Sequence, residues 1–211
     1  MKTTTARLAG HHYLHLPGSD PGAPPLLLLH GTGGTERDLV SLAQRLSPGS
    51  TLLSPRGNVS ENGANRFFRR FAEGVFDYDD VRARTDALAE FISAACTQLD
   101  IAQNRLLAFG FSNGANIGAT LLQRQPTALA GGILLRPMVV LDEPAAPDSL
   151  TGKSVLLANG TFDPIIPADH PERLAKLLAA GGATVQRHTS AASHNLTPAD
   201  LEAATAFLES L

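Results

Sequence analysis

The chain has 211 residues, 43% hydrophobic and 18% charged, with a formal net charge of −3 at pH 7. That is enough for one substantial core and short for two, so a single domain over residues 1–211 is expected. The charge balance, without any Lys/Arg block, argues against a nucleic-acid footprint or a polybasic membrane surface; no apolar run reaches membrane-spanning length; and the lone cysteine, Cys96, excludes an intramolecular disulfide and a thiolate cluster.

Residues 1–7 carry positive charge with no apolar stretch behind it, so no secretion signal is read and a cytoplasmic location is expected. Residues 11–16 alternate like a strand at a sheet edge, closed by a turn over residues 17–22. On such a strand His11 and His15 face one way and His12 the other, with no acidic or cysteine neighbour, so no metal site is read there. Residues 25–30 form a continuous apolar run of the kind buried on both faces of a parallel sheet. The segment Gly31-Thr32-Gly33-Gly34 breaks that run, and a helix is expected to open at Thr35, with Asp38 as its capping partner and Leu39, Leu42, Ala43 and Leu46 as its apolar stripe. A short strand follows at residues 51–54. Residues 56–80 read as a long irregular loop, and Phe67, Phe68, Phe71, Phe76 and Tyr78 mark it as packed over something rather than as a linker.

From there the chain alternates: a helix over about 80–99 with Cys96 on its buried face, a strand into Phe111, a helix to about Gln125, and strands at 131–135 and 154–158. A further helix starts at Asp169 or His170, a last strand spans 184–188, and a terminal helix is launched by Thr197-Pro198-Ala199-Asp200. Such alternation predicts an α/β fold: a mainly parallel sheet of about seven strands with helices on both faces and no separate cap domain.

Chemistry concentrates where strands end. Gly110 and Gly114 flank Ser112 at the spacing of a nucleophile elbow, a strand-to-helix turn that forces the serine towards positive φ and lifts its hydroxyl clear of the sheet. Ligands of open parallel sheets bind beyond the carboxyl ends of the strands. Asp163 and His194 fall there too, each on its own strand-end loop, in the order serine, acid, histidine of an α/β-hydrolase triad. Asp142 is an alternative acid on an earlier loop; Asp169 reads as a helix cap, His188 as a strand end, and His30 as a structural hydrogen-bonding group. The Asn113 N–H and, from the Gly31–Gly34 loop, the Thr32 N–H are the candidate oxyanion donors. The glycines of that loop match neither a dinucleotide fingerprint nor a P-loop, and no cofactor is expected.

Together, Leu29-His30-Gly31-Thr32-Gly33-Gly34, Gly110-Phe111-Ser112-Asn113-Gly114, Gly160-Thr161-Phe162-Asp163-Pro164 and Ser193-His194-Asn195 resemble the phospholipase/carboxylesterase family of small α/β-hydrolases. Arg56-Gly57-Asn58 with Arg66-Phe67-Phe68-Arg69-Arg70 resembles its bacterial methylhydroquinone-associated subgroup. The resemblance implies a capless cytoplasmic serine esterase, often a homodimer, acting on small esters. Two positions depart from it: Asn113 stands where acyl-protein thioesterase relatives have Gln, and Ser193 precedes the histidine in place of the commoner Gly. Gly33, Phe67, Phe68, Met138, Ile165 and Ile166 are the expected walls of an ester pocket, and Arg56, Arg66, Arg69 or Arg70 are candidates to bind a substrate carboxylate or to pair with local acids. Thioester or lysophospholipid hydrolysis by the same residues, and ligand binding without turnover, are the alternatives.

Overall fold

A computed structural model describes residues 3–211. Strand β1 (Thr4–Leu8) turns through Ala9 and Gly10, at φ 43° and 77°, into β2 (His11–Leu16). Two successive positive-φ residues suit a two-residue hairpin turn. The edge strand is therefore β1, and β2 lies one place inside it, a correction to the expected edge position. His11 is buried against Phe91 and bonds Ala9 O, whereas His12 turns out to Arg7. Next come β3 (Leu26–Leu29), α1 (Val40–Leu46) and β4 (Leu52–Pro55). The helix expected from Thr35 begins five residues later. Thr35 does hydrogen-bond Asp38, but residues 35–40 form isolated turns, Asp38 N to Thr35 O and Val40 N to Arg37 O, as Glu36 turns inward to Arg56.

The segment expected to be irregular contains two antiparallel hairpins, β5 (Val59–Glu61) with β6 (Ala64–Arg66) and β7 (Arg70–Ala72) with β8 (Val75–Phe76). Asn62-Gly63, at φ 51° and 85°, is the turn dipeptide that makes the first possible. The remaining elements are α2 (Tyr78–Leu99), β9 (Leu107–Phe111), α3 (Asn113–Arg124), β10 (Gly131–Leu135), β11 (Ser154–Gly160), α4 (His170–Ala179), β12 (Thr184–Ser190) and α5 (Pro198–Glu209).

Eight strands form the main sheet in the order β1-β2-β4-β3-β9-β10-β11-β12. From β4 to β12 neighbouring strands run parallel; β1 and β2 add an antiparallel end. Alternation along each strand divides the core. Leu27, Leu29, Ala108, Leu134 and Leu157 face the side packed by α2, α3 and α4, while Leu26, Leu28, Phe109, Ile133 and Leu156 face α1 and α5. All four leucines of β3 are buried, worth about 1.5–3 kcal/mol each in apolar transfer. The chain leaves β3 towards β4 in one direction and β9 towards β10 in the other, so a crevice opens beyond the carboxyl ends of β3 and β9.

Candidate active site

Ser112 occupies the turn between β9 and α3 at φ 52°, ψ −115°. Packing explains why the flanking residues are glycine. A Cβ on Gly114 would lie 1.9 Å from Leu29 O, and one on Gly110 would lie 2.7 Å from Gly114 O. The elbow is pinned by Ser112 N donating to Leu135 O and by Asn116 N donating to Ser112 O, both at 2.9 Å.

Three loops bring the predicted triad together. His194 Nε2 lies 2.8 Å from Ser112 Oγ, and His194 Nδ1 lies 2.7 Å from Asp163 Oδ2. An ionised carboxylate only accepts, so Nδ1 carries the proton, and the Nε2 lone pair is left to accept from the serine hydroxyl. The second carboxylate oxygen of Asp163 accepts the Ile165 N–H at 2.9 Å. The Asp163 side chain is 2% exposed and the imidazole 21%, which leaves the carboxylate shielded and the imidazole open to the cleft. Phe111 packs beside the imidazole, ring centres 5.5 Å apart.

A residue that sequence reasoning overlooked holds the histidine loop. Arg136, just past β10 at φ 57° and fully buried, donates from Nε to Ser193 O (3.3 Å) and from Nη2 to Asn195 O (2.7 Å), the carbonyls on either side of His194. It also forks onto Asp200 at 3.0 and 2.6 Å. Asp200 forms a capping box with Thr197 at the start of α5. Burial works to raise the Asp200 carboxyl, but the Arg136 fork and the bonds from Thr197 outweigh it and hold it at about 2. The available signal was an arginine at the end of the apolar run Ile133-Leu134-Leu135, where a buried charge demands a partner.

The two candidate oxyanion donors sit on different segments that border the same cleft, Thr32 on the loop after β3 and Asn113 in the elbow itself. Neither the Asn113 nor the Thr32 N–H enters a loop or cross-element backbone hydrogen bond among the described residues. Asn113 opens α3, where the first N–H groups have no intrahelical partner. Both loops are stitched to the β6 hairpin. Gly33 N donates to Asn65 O and Asn65 Nδ2 to Gly34 O, each at 2.9 Å; Arg66 Nη1 donates to Thr32 Oγ1 at 2.6 Å; Phe67 N donates to Asn113 Oδ1 at 2.8 Å. Below them His30, buried, donates from Nδ1 to Gly31 O and accepts the Gly57 N–H at Nε2. Burial lowers its pKa and favours this neutral form.

A cleft of about 250 Å³ opens over Ser112 and His194. Met138, Ile165 and Ile166 line it as expected, joined by Phe111 and Phe76. Gly33, Arg56, Phe67 and Phe68 do not. Phe67 and Phe68 are core residues, packed on His30 and Phe76 respectively, because the hairpins turn their backbone rather than their rings towards the elbow. Gly33 serves the loop at φ 82° and bonds Asn65. Arg56 is held by both oxygens of buried Glu36, at 2.6 and 2.8 Å. In its place Arg66 and Arg70 line the cleft. The alternative acid Asp142 is exposed and paired with Arg173, and His188 faces Asp200 at 3.7 Å rather than the serine. Asp169 takes the N-cap position of α4, yet its side chain caps nothing and accepts from Arg173.

Residues 16–211 match the Phospholipase/Carboxylesterase family. Over 179 residues the chain is 42% identical to MhqD, described as a hydrolase, of Bacillus subtilis (strain 168), covering 85% of this chain and 89% of that one. Its fold is similar to the crystal structure of the Bacillus cereus carboxylesterase, with a TM-score of 0.91 and 43% identity over 95% of this chain and 94% of that one. A carboxylesterase from Mesorhizobium loti is similar at TM-score 0.91 and 29% identity, over 99% of each chain. Since the match begins at the end of β2 and takes in every loop around the crevice, the chain belongs to the phospholipase/carboxylesterase family of α/β-hydrolases, a family of ester hydrolases.

Proposed function

We propose that the protein is a serine carboxylesterase that hydrolyses small carboxylic esters through an acyl-enzyme. The observation that carries this reading is the continuous hydrogen-bonded line from Asp163 through His194 to Ser112, at 2.7 and 2.8 Å. In the first half-reaction Ser112 Oγ attacks the acyl carbon while His194 Nε2 takes the hydroxyl proton. The carbonyl oxygen becomes an oxyanion facing the Thr32 and Asn113 N–H groups, each such donor being worth about 3–4 kcal/mol to the transition state. Collapse breaks the ester C–O bond, and His194 returns its proton to the departing alcohol oxygen. In the second half-reaction a water attacks the acyl-enzyme, His194 takes a proton from it, and collapse releases the acid and restores the serine hydroxyl. Asp163 holds the imidazole in the required tautomer and stabilises its charged form throughout.

The small cleft, lined in part by Met138, Ile165 and Ile166, favours short acyl groups over the long chains of lysophospholipids. Labelling with a fluorophosphonate probe, followed by mapping of the adduct, tests the nucleophile. Adduct on Ser112 is expected, and Ser112→Ala should lower kcat on short-chain esters by roughly 10⁶. A variant that kept a tenth of the wild-type rate would refute the assignment.

A further inference from the structure

Two guanidinium groups stand on the cleft wall, and one carboxylate serves both. Arg66 and Arg70 line the cleft together with Ser112 and His194. Glu61 pairs with Arg66 Nε at 3.1 Å and with Arg70 Nε at 3.0 Å, so the trio carries one positive charge in excess. The Nη groups are differently engaged. Arg66 gives Nη1 to Thr32 Oγ1, while its Nη2 and both Nη groups of Arg70 have no hydrogen-bond acceptor among the described residues. Arg66 is only 3% exposed, and burial followed by the charge of Arg70 draws its pKa down to about 10, which leaves it cationic at neutral pH. A buried cation without its own full counter-charge is costly unless an anion arrives to offset it.

The other charges on the cleft do not cancel the excess. Arg136 is neutralised by Asp200. Glu73, which also borders the cleft, lies exposed on the β7–β8 turn, where water and salt screen it more strongly than the buried guanidinium.

We propose that Arg70 and Arg66 form an anion subsite that makes the enzyme select small esters bearing a carboxylate beside the scissile ester bond. The inference rests on the ester-hydrolase reading and names its substrate class. The carboxylate belongs to the acyl part, as in a half-ester of a short dicarboxylic acid, or to the alcohol part, as in an acylated hydroxy acid. Planar guanidinium groups with free N–H donors suit either by paired charge-assisted bonds.

The experiment compares kcat/KM for matched pairs that differ only in a carboxylate replacing a methyl: monoethyl succinate against ethyl butyrate for the acyl side, 3-acetoxypropanoate against propyl acetate for the alcohol side. In one arm or the other the charged ester should be favoured by roughly 10- to 100-fold, the range of a charge-assisted contact. Arg70→Gln should cut that ratio by about tenfold, and Arg70→Lys should restore part of it. Glu61→Gln, which frees both guanidinium groups, should raise the ratio, an effect that misfolding cannot imitate. Ratios at or below one in both arms overturn the subsite while leaving the esterase intact, as do ratios unmoved by both the Arg70→Gln and Glu61→Gln variants. Hydrolysis of neither class, with no fluorophosphonate adduct, overturns the ester-hydrolase reading and the subsite with it.

Discussion

Replacing Arg136 with Met separates what holds the fold from what aims the base. Arg136 and Asp200 are both fully buried, and Asp200 Oδ2 accepts from Arg136 Nη2 at 2.6 Å. Removing one partner strands the other charge in the interior, a loss of about 3–5 kcal/mol. The same substitution releases Ser193 O and Asn195 O, and with them the loop that carries His194. A displacement of His194 by about 1 Å from Ser112 should cost roughly 10²-fold in kcat. The double variant Arg136→Met/Asp200→Asn removes the stranded charge, while the amide oxygen can still accept the Thr197 N–H at the start of α5. Stability should then recover to within about 1–2 kcal/mol of wild type, the residue being the unpaired carbonyls. The rate should not recover, because nothing has retied the loop. Urea unfolding gives the first quantity, and kcat on a short-chain ester with the rate of fluorophosphonate labelling gives the second. If the double variant regained both stability and wild-type kcat, Arg136 would be a structural ion-pair partner and nothing more.

Other expectations follow from the same geometry. Arg56→Gln should leave kcat/KM within about twofold and cost about 1–3 kcal/mol of stability by urea unfolding, because Arg56 does not line the cleft but supplies buried Glu36 with the bond that chiefly holds its carboxyl below the usual range. Acid should weaken the fold through Asp200. A carboxyl whose folded pKa is depressed contributes stability above its unfolded value, about 3.9, and loses it as pH falls towards the folded value of about 2. About 2 kcal/mol should therefore disappear between roughly pH 4 and pH 2, and Asp200→Asn should flatten that part of a pH–stability curve. Gly114→Ala places a methyl against the end of the β3 backbone, so it should cost at least about 2 kcal/mol and abolish Ser112 labelling by opening the elbow.

The elements that position the serine, acid and histidine were legible because each depends on local pattern. Continuous apolar runs announced β3, β9, β10 and β11, glycines at 110 and 114 announced the elbow, and Thr197-Pro198-Ala199-Asp200 announced α5. Less legible was whatever depends on a partner distant in sequence. Arg56 looked like a substrate contact until Glu36, on an unexpected turn, closed on it. Phe67 and Phe68 were read as pocket walls because aromatics in a presumed loop have no assigned direction; the β5–β6 hairpin gives them one, into the core. Asn62-Gly63 was the local signal for that hairpin and was absorbed into an irregular reading. Arg136 and Asp200 lie 64 residues apart, and only the assembled sheet places the arginine beneath the histidine loop.

That same hairpin gives the site a dependence that the order of residues in the chain conceals. The candidate oxyanion donors belong to separate loops, one after β3 and one after β9; residues 65–67 bind these loops to one another. Asn65 holds Gly33 and Gly34, Arg66 holds Thr32, and the Phe67 N–H holds the Asn113 side chain. Asn113 keeps its Nδ2 buried without a partner among the described residues while its Oδ1 makes this bond. An unsatisfied buried donor opposes folding, so the Oδ1 contact is the interaction that favours asparagine there. Since Arg66 reaches both Thr32 and the cleft, the group that would meet a substrate anion is also one that fixes the oxyanion loop. Changes at Arg66 should accordingly lower kcat for neutral esters as well as charged ones, whereas changes at Arg70, whose guanidinium bonds only Glu61 among the described residues, should act on the choice between them.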